Sequence, residues 1–256
     1  MPSEQAQSHY RGDAGRRYHD FKRGLPQRAI PWVAALRARK FAPYIGKGDV
    51  VLEYGAGRGW NLAALCCRRK IGFDVADFLE PSLCALGIEF AADTQLLPES
   101  VADAVICHHT LEHVHRPPEA LEEMRRLLKP GGRLLLFVPF EREARYKHFR
   151  PGEPNHHLYS WNAQTLGNLV QESGYTVLEA GIGEFGYSRF SAVWAARLRL
   201  GEGGFRCLRR LLHILKPALE VRLIALKPAT VDAPPFPDNS PAGTSPCRPA
   251  CPPKTL

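Results

Sequence analysis

Val50-Val51-Leu52-Glu53-Tyr54-Gly55-Ala56-Gly57-Arg58-Gly59-Trp60 is the stretch that decides the fold. Its apolar, β-branched start reads as a buried strand, and the three alternate glycines as a turn tighter than residues bearing a Cβ can make. Asn61-Leu62-Ala63-Ala64-Leu65 is expected to carry on as a helix. A strand, a glycine turn and a helix in this order put backbone N–H groups where a polar ligand can sit. The spacing is not that of a dinucleotide fingerprint, because Trp60 stands where Gly-x-Gly-x-x-Gly wants its third glycine. Glu53 argues in the same direction: a carboxylate at the strand end would oppose a pyrophosphate and attract a cationic ligand. The plainer alternative is an ordinary tight strand-to-helix turn.

Upstream, Pro31 followed by Trp32-Val33-Ala34-Ala35-Leu36 starts a helix with proline in its first turn, expected to run to about Phe41. Downstream, Ile71-Gly72-Phe73-Asp74-Val75 reads as a second strand ending in a carboxylate. Gly87 to Thr94 holds a short third strand with Asp93 after it. Ala102 to His109 is nearly continuous in apolar residues, as a strand covered on both faces should be. A helix over Glu119 to Leu128, a stop at Lys129-Pro130-Gly131-Gly132 and a fifth strand over Arg133 to Pro139 follow. Gly174 to Ala180 and Glu220 to Lys227 read as the sixth and closing strands.

Two distant segments share a pattern in content and order: Glu53-x-Gly55-x-Gly57-x-Gly59, and the run from Leu111-Glu112-His113 to Leu128-Lys129-Pro130-Gly131-Gly132. With acids at three successive strand ends, the chain from roughly Pro31 to Lys227 resembles the class I S-adenosylmethionine (SAM)-dependent methyltransferases. The resemblance implies an α/β, Rossmann-like fold: a seven-stranded, mostly parallel sheet with helices on both faces, its closing strand antiparallel beside the sixth. It implies SAM as cofactor, held by Glu53, Gly55, Gly57 and Gly59, with Asp74 on the ribose hydroxyls and Asp93 on the adenine amino group. His108 and His109 would stand at the mouth between cofactor and acceptor, and His113 would be structural. Taken alone, Asp74 is also a candidate helix N-cap and Asp93 a turn aspartate, while Asp77 is a weaker candidate in the same region. The implied reaction is methyl transfer to an oxygen or nitrogen of a small-molecule, sugar or lipid-linked acceptor. Nucleic-acid methylation and a SAM-fold protein that binds without transferring are the alternatives; the first lacks an Asn/Asp-Pro-Pro-Tyr motif and a suitable cysteine pair.

The segment Glu141 to Trp161 is too long for a tight connection and too aromatic for a mere linker. Within it, Asn155-His156-His157-Leu158-Tyr159-Ser160 matches an arrangement found before the next helix in many relatives, and Ser160 is read as that helix's N-cap. His156, His157 and Tyr159 are the catalytic candidates, with His109 beside them, because an imidazole can take a proton near neutral pH. Packing or capping of the loop is the alternative for both histidines. No metal is expected, since the strand-four histidines lack a coherent ligand set.

With 256 residues and 45% hydrophobic content, one domain with additions is the default. The formal charge of +8 suits a polyanion, an anionic membrane surface or an acidic substrate, yet no dense basic run singles out nucleic acid. Residues 194–216 read as basic amphipathic helices: either a solvated face or a peripheral contact with an anionic membrane. The seven cysteines form no Cys-x-x-Cys pair; Cys66, Cys67 and Cys107 are placed on core elements, and a cytoplasmic, reducing setting is expected. Residues 1–30 are taken as a polar segment or lid carrying a short helix near Tyr18, 31–227 as the catalytic domain, and 228–256 as a disordered Pro-rich tail.

Overall fold

The computed structural model describes residues 9–21, 24–141, 148–151, 153 and 155–229. The expectations for the first eight residues, for Lys22 and Arg23, for Arg142, Arg145 and Lys147 and for the tail from residue 230 lie outside these. The described elements are α1 Gly12–Phe21, α2 Ile30–Phe41, β1 Val50–Tyr54, β2 Arg69–Phe73, α3 Glu80–Cys84, β3 Glu89–Ala91, β4 Ala102–His108, α4 Pro117–Leu127, β5 Leu128–Pro139, α5 Ala163–Glu172, β6 Thr176–Glu184, α6 Ser188–Arg197, α7 Gly201–Leu215 and β7 Leu219–Leu226, besides short 3-10 turns. The strands form one seven-stranded sheet in the order β3-β2-β1-β4-β5-β7-β6. β1 to β5 pair in parallel and β6 points the same way, while β7 runs antiparallel between β5 and β6.

The two-residue period of β5 divides the core. Leu134, Leu136 and Val138 face one side with Leu121, Met124, Leu166 and Val170 of the covering helices. Leu135 and Phe137 face the other with Phe41, Leu62, Leu79 and Leu83. Each fully buried Leu or Phe is worth about 1.5–3 kcal/mol by transfer, so a central strand covered on both faces is fixed in register by its side chains. A third cluster joins Val33 of α2 to Ala192, Ala195 and Ala196 of α6 and Phe205 of α7.

Four local readings change. The glycine turn does not open a helix: after Gly59 the chain makes one turn, closed by Ala63 N–H to the Gly59 carbonyl at 3.0 Å, and Arg68 N–H is already bonded to Asp49 at 2.9 Å. The stretch between β1 and β2 is taken up by the glycine loop, this single turn and the approach to Asp49. Cys66 is therefore exposed and Cys67 half-buried, while Cys107 is buried in β4. Lys129-Pro130-Gly131-Gly132 is a bulge inside β5 rather than a break before it, since Leu128 already pairs with Ala102 and pairing resumes at Ala104 with Arg133. The cap of α5 is Asn162, not Ser160: its carboxamide accepts from Thr165 N–H at 2.9 Å, and the Thr165 hydroxyl returns the bond.

Candidate active site

The carboxyl ends of β1, β2 and β4, with the start of antiparallel β7, meet on one edge of the sheet. At Gly55 the backbone has φ +80°, and a Cβ there would stand 2.3 Å from the Thr110 hydroxyl, so only glycine fits. Gly59 has φ +74° and a Cβ would meet Ile88 at 2.6 Å. The amides of this loop are taken up inside the protein. Gly55 and Ala56 donate to the Phe73 carbonyl, Gly59 to Ala56, and Gly57 to Asp74 Oδ2 at 2.7 Å. The expected fan of free N–H groups is thus largely spent on pinning the loop to the end of β2.

Asp74, 9% exposed, accepts from Gly57 with one oxygen and from Ala76 N–H at 2.9 Å with the other. Burial raises its carboxyl, and these backbone donors pull it back. A carboxylate has about four lone-pair sites, so acceptance from a ribose hydroxyl remains open. Asp93 caps the 3-10 turn at Thr94 by accepting from Gln95 N–H at 2.9 Å, and its side chain is exposed.

Glu53 is buried completely beneath the glycine turn. One oxygen accepts from Asn61 Nδ2, Asn61 in turn accepts from Arg37, and Glu53 Oε2 has no partner among the described residues. Burial pushes the carboxyl up to about 8, against the Asn61 hydrogen bond and the Arg37 charge. The folded state thus holds this proton more tightly than the unfolded chain. Its contribution to stability is full below the ordinary carboxylate range and is lost as pH rises through about 8. Denaturant melts of ligand-free protein between pH 5 and 8 should show that decline, and Glu53→Gln should flatten it; an unchanged slope in the variant would place the titration elsewhere.

α1 lies over this edge. Tyr18 is half-buried near Glu112, Asp74 and Glu153, and burial followed by these carboxylates pushes its phenol up to about 12. His19 and Arg16 pack on Phe78, with Arg16 Cζ 4.7 Å from the ring centroid. The Tyr10 hydroxyl lies 2.8 Å from His113 Nδ1 and donates to the Asn155 carbonyl at 3.2 Å.

The sequence-predicted histidines separate into two groups. His108 and His109 face Glu220 of β7, at 3.6 and 3.2 Å, and Lys40 Nζ closes on Glu220 at 2.5 Å. Burial lowers His109 to about 4, and Phe185 packs on its ring at 4.0 Å. For Glu220, burial is overcome by hydrogen bonds from His108 and His109 and by the Lys40 charge, which hold it well below the carboxylate range. Both imidazoles are therefore neutral at pH 7, and His109 is a weak proton acceptor there. The second group is His113, His156 and His157. His157 Nδ1 lies 2.7 Å from Glu141 Oε1, and its ring meets that of His113 edge-on at 4.9 Å. His156 has φ +51°, an exposed imidazole stacked on His9 at 4.5 Å, and an N–H donated to Glu153 at 2.9 Å. Tyr159 does not join them: its hydroxyl donates to the His115 carbonyl at 2.9 Å and its ring stacks on Trp161. Lys40, Glu141 and Glu220 went unseen in the sequence because no local pattern links them to the histidines they hold.

A cavity of about 320 Å³ is lined by Lys40, His108, Phe185, Glu220 and Arg209. A larger one, about 520 Å³, carries Trp32, Phe205, Arg206, Arg209, Arg210 and His213. Leu36, Arg39, Glu184 and Arg209 line both.

Over residues 23–180 the sequence matches the profile of the family described as "Methyltransferase domain". The chain belongs to that family. Its cofactor is SAM, whose sulfonium carries the methyl group as an electrophilic carbon. The site fits that molecule: Glu53 offers a buried oxygen with no partner among the described residues, and at Gly57, φ +53°, a Cβ would meet nothing within 4 Å, so the turn leaves open space there. Among relatives, a protein of Encephalitozoon cuniculi named as a methyltransferase is 26% identical over 165 residues, covering 55% of this chain and 77% of its own length. A Bos taurus protein named as a tRNA methyltransferase 9B is 29% identical over 144 residues, 54% of this chain but 31% of that protein. The fold is shared with a Burkholderia thailandensis 1,6-didemethyltoxoflavin-N1-methyltransferase, solved with that substrate and S-adenosylhomocysteine, at TM-score 0.56 and 20% identity over 89% of this chain and 91% of that one. No helix among the described residues of the methyltransferase is long and apolar enough to cross a membrane.

Proposed function

We propose that this methyltransferase acts on an oxygen or nitrogen of a compact, anionic, lipid-linked acceptor. The supporting observation is the pair of cavities that share Leu36, Arg39, Glu184 and Arg209. They lead from His108 at the sheet edge to a wall of Arg206, Arg209 and Arg210 on α7. An arginine-lined cavity suits a phosphate or a carboxylate. Around it Trp194, Leu198, Leu200, Leu211, Ile214 and Leu215 are exposed, which suits a helix lying in a headgroup layer.

Glu53, Asp74, Asp93 and the three glycines hold the cofactor in this reading, and His108 stands beside it. α1 serves as the lid, with Tyr10 and Tyr18 over the site. His113, His156 and His157 line neither cavity; in this reading the acceptor's reacting group extends beyond the cavities to them, and His156 takes its proton. The five described cysteines are free, in keeping with a cytoplasmic, reducing setting at the inner face of a membrane.

The decisive experiment supplies labelled SAM with fractionated lipid and small-molecule extract and identifies the product by mass spectrometry. RNA belongs in the same assay, because the Bos taurus relative is named for tRNA and the arginines would also suit phosphates. Label in RNA alone would replace the lipid-linked reading. Anionic vesicles test the surface: each basic residue near such a membrane is worth about 1 kcal/mol, so Arg209→Gln with Arg210→Gln should weaken co-sedimentation by roughly 30-fold. Equal sedimentation of variant and parent would remove the membrane from the proposal.

A further inference from the structure

The geometry points to a binding site for a divalent transition-metal ion, formed by Glu112, His113 and His157. One donor atom from each lies within 4.8 Å of the others, and His113 Nε2 is 3.6 Å from Glu112 Oε1. Zinc bonds of about 2.0–2.1 Å place tetrahedral neighbours roughly 3.4 Å apart, so a rotamer adjustment brings the set to coordination distance. The side chains are sheltered, Glu112 at 1%, His113 at 13% and His157 at 15% exposed.

Each imidazole has oxygen partners behind it that can hold one ring nitrogen toward the centre. The Tyr10 hydroxyl stands between two groups that can accept its proton, His113 Nδ1 at 2.8 Å and the Asn155 carbonyl at 3.2 Å, and the His156 carbonyl, 3.4 Å from His113 Nδ1, can only accept. With the Tyr10 proton on the Asn155 carbonyl, His113 Nδ1 would donate to the His156 carbonyl, and Nε2 would present its lone pair to an ion. His157 Nδ1 faces the Glu141 carboxylate at 2.7 Å, which fixes the same tautomer. An imidazole whose far nitrogen donates to a carboxylate or a carbonyl is the usual form of a metal ligand, oriented and made more basic from behind. The arrangement draws on three separate parts of the chain: the turn after β4, the segment between β5 and α5, and Tyr10 ahead of α1.

The other histidine group contrasts with it. His108, His109 and Glu220 are equally close, but Lys40 Nζ sits 2.5 Å from Glu220 and 3.1 Å from His108 Nε2. An ammonium already fills the place an ion would take. At Glu112, two neutral nitrogens and one carboxylate favour zinc, iron or manganese over calcium or magnesium. Three protein ligands leave a position open, as catalytic sites do. There an oxygen-bearing acceptor would bind and be made more acidic; this role, though not the site, rests on the activity proposed above. It departs from the expectation of a metal-free enzyme, whose ground was the lack of a coherent ligand set around the strand-four histidines.

The test is a cobalt(II) titration of the full-length, metal-stripped protein, followed by visible absorption and zinc competition. One equivalent should bind, with bands of a four- or five-coordinate nitrogen–oxygen site that zinc erases. His113→Ala and His157→Ala should each weaken binding at least 100-fold, and Glu141→Gln by about 10- to 100-fold. S-adenosylhomocysteine affinity, read on the same samples, should stay within about twofold and so report intact folding. Absence of stoichiometric cobalt, or cobalt bound equally by both alanine variants, overturns the site. Methyl transfer by stripped protein at the full rate overturns the ion's role and leaves the transferase reading intact. Cobalt bound as expected with no acceptor methylated in extract supports the site and counts against the acceptor reading alone.

Discussion

Asp74→Ala is expected to weaken S-adenosylhomocysteine binding by about 10²- to 10⁴-fold. The carboxylate does two things at once. It closes the glycine loop by accepting from Gly57 N–H, and it steadies the turn after β2 by accepting from Ala76 N–H. In the proposed complex it also receives the ribose hydroxyls. Hydrogen bonds to an ionised acceptor are worth roughly 1.5–3 kcal/mol each, and losing two of them accounts for the range. Asp74→Asn separates the parts. Its single carbonyl oxygen can keep one backbone bond but not the charge, so its affinity should fall between parent and alanine. Calorimetry with S-adenosylhomocysteine checks the series. Binding by the alanine variant within threefold of the parent would mean that Asp74 only caps its turn and that the ribose is held elsewhere.

What was legible in the sequence is what repeats locally. Buried strands announce themselves by unbroken apolar runs, and Val50–Leu52 and Ala104–Cys107 are buried as those runs require. The glycines needed positive φ, and they have it. The parallel order and the antiparallel β7 followed from the family resemblance. Errors arose where a local pattern competed with a constraint from outside the window. Leu62 and Leu65 are spaced like a helix face and both are buried, yet the chain makes one turn there before Arg68 N–H bonds to Asp49. Ser160 is a good capping residue, but Asn162 reaches the Thr165 amide. Electrostatic partners were the least visible. Glu220 reaches His108 and His109 because β7 enters antiparallel beside β5, pairing Glu220 with Pro139. Nothing near Glu141 in sequence marks it as the partner of His157.

The second large effect is expected at His156, the proton acceptor in the proposed reaction. Its backbone is held in the left-handed region at φ +51°, a conformation of modest cost that persists when surroundings impose it. Here they do: the Glu153 carboxylate takes the His156 and Asn155 amides, and Tyr10 and His113 approach the two carbonyls from the other side. These contacts engage the backbone, while the imidazole stacks on His9 and stays exposed. In the metal site proposed above His157 Nε2 is taken up as a ligand, and the lowered His109 is too weak a base at neutral pH. His156→Ala should therefore lower turnover by about 10²- to 10⁴-fold, the usual worth of a positioned general base. S-adenosylhomocysteine affinity should hold within about twofold, because no cofactor contact is removed. His156→Gln separates proton transfer from packing, since it fills similar space and cannot accept a proton near pH 7. Tyr159→Phe should change turnover only slightly, its hydroxyl being spent on the His115 carbonyl. The measurement is turnover against pH for each variant. Should His156→Gln keep the parent's rate and pH profile, the proton leaves by another route.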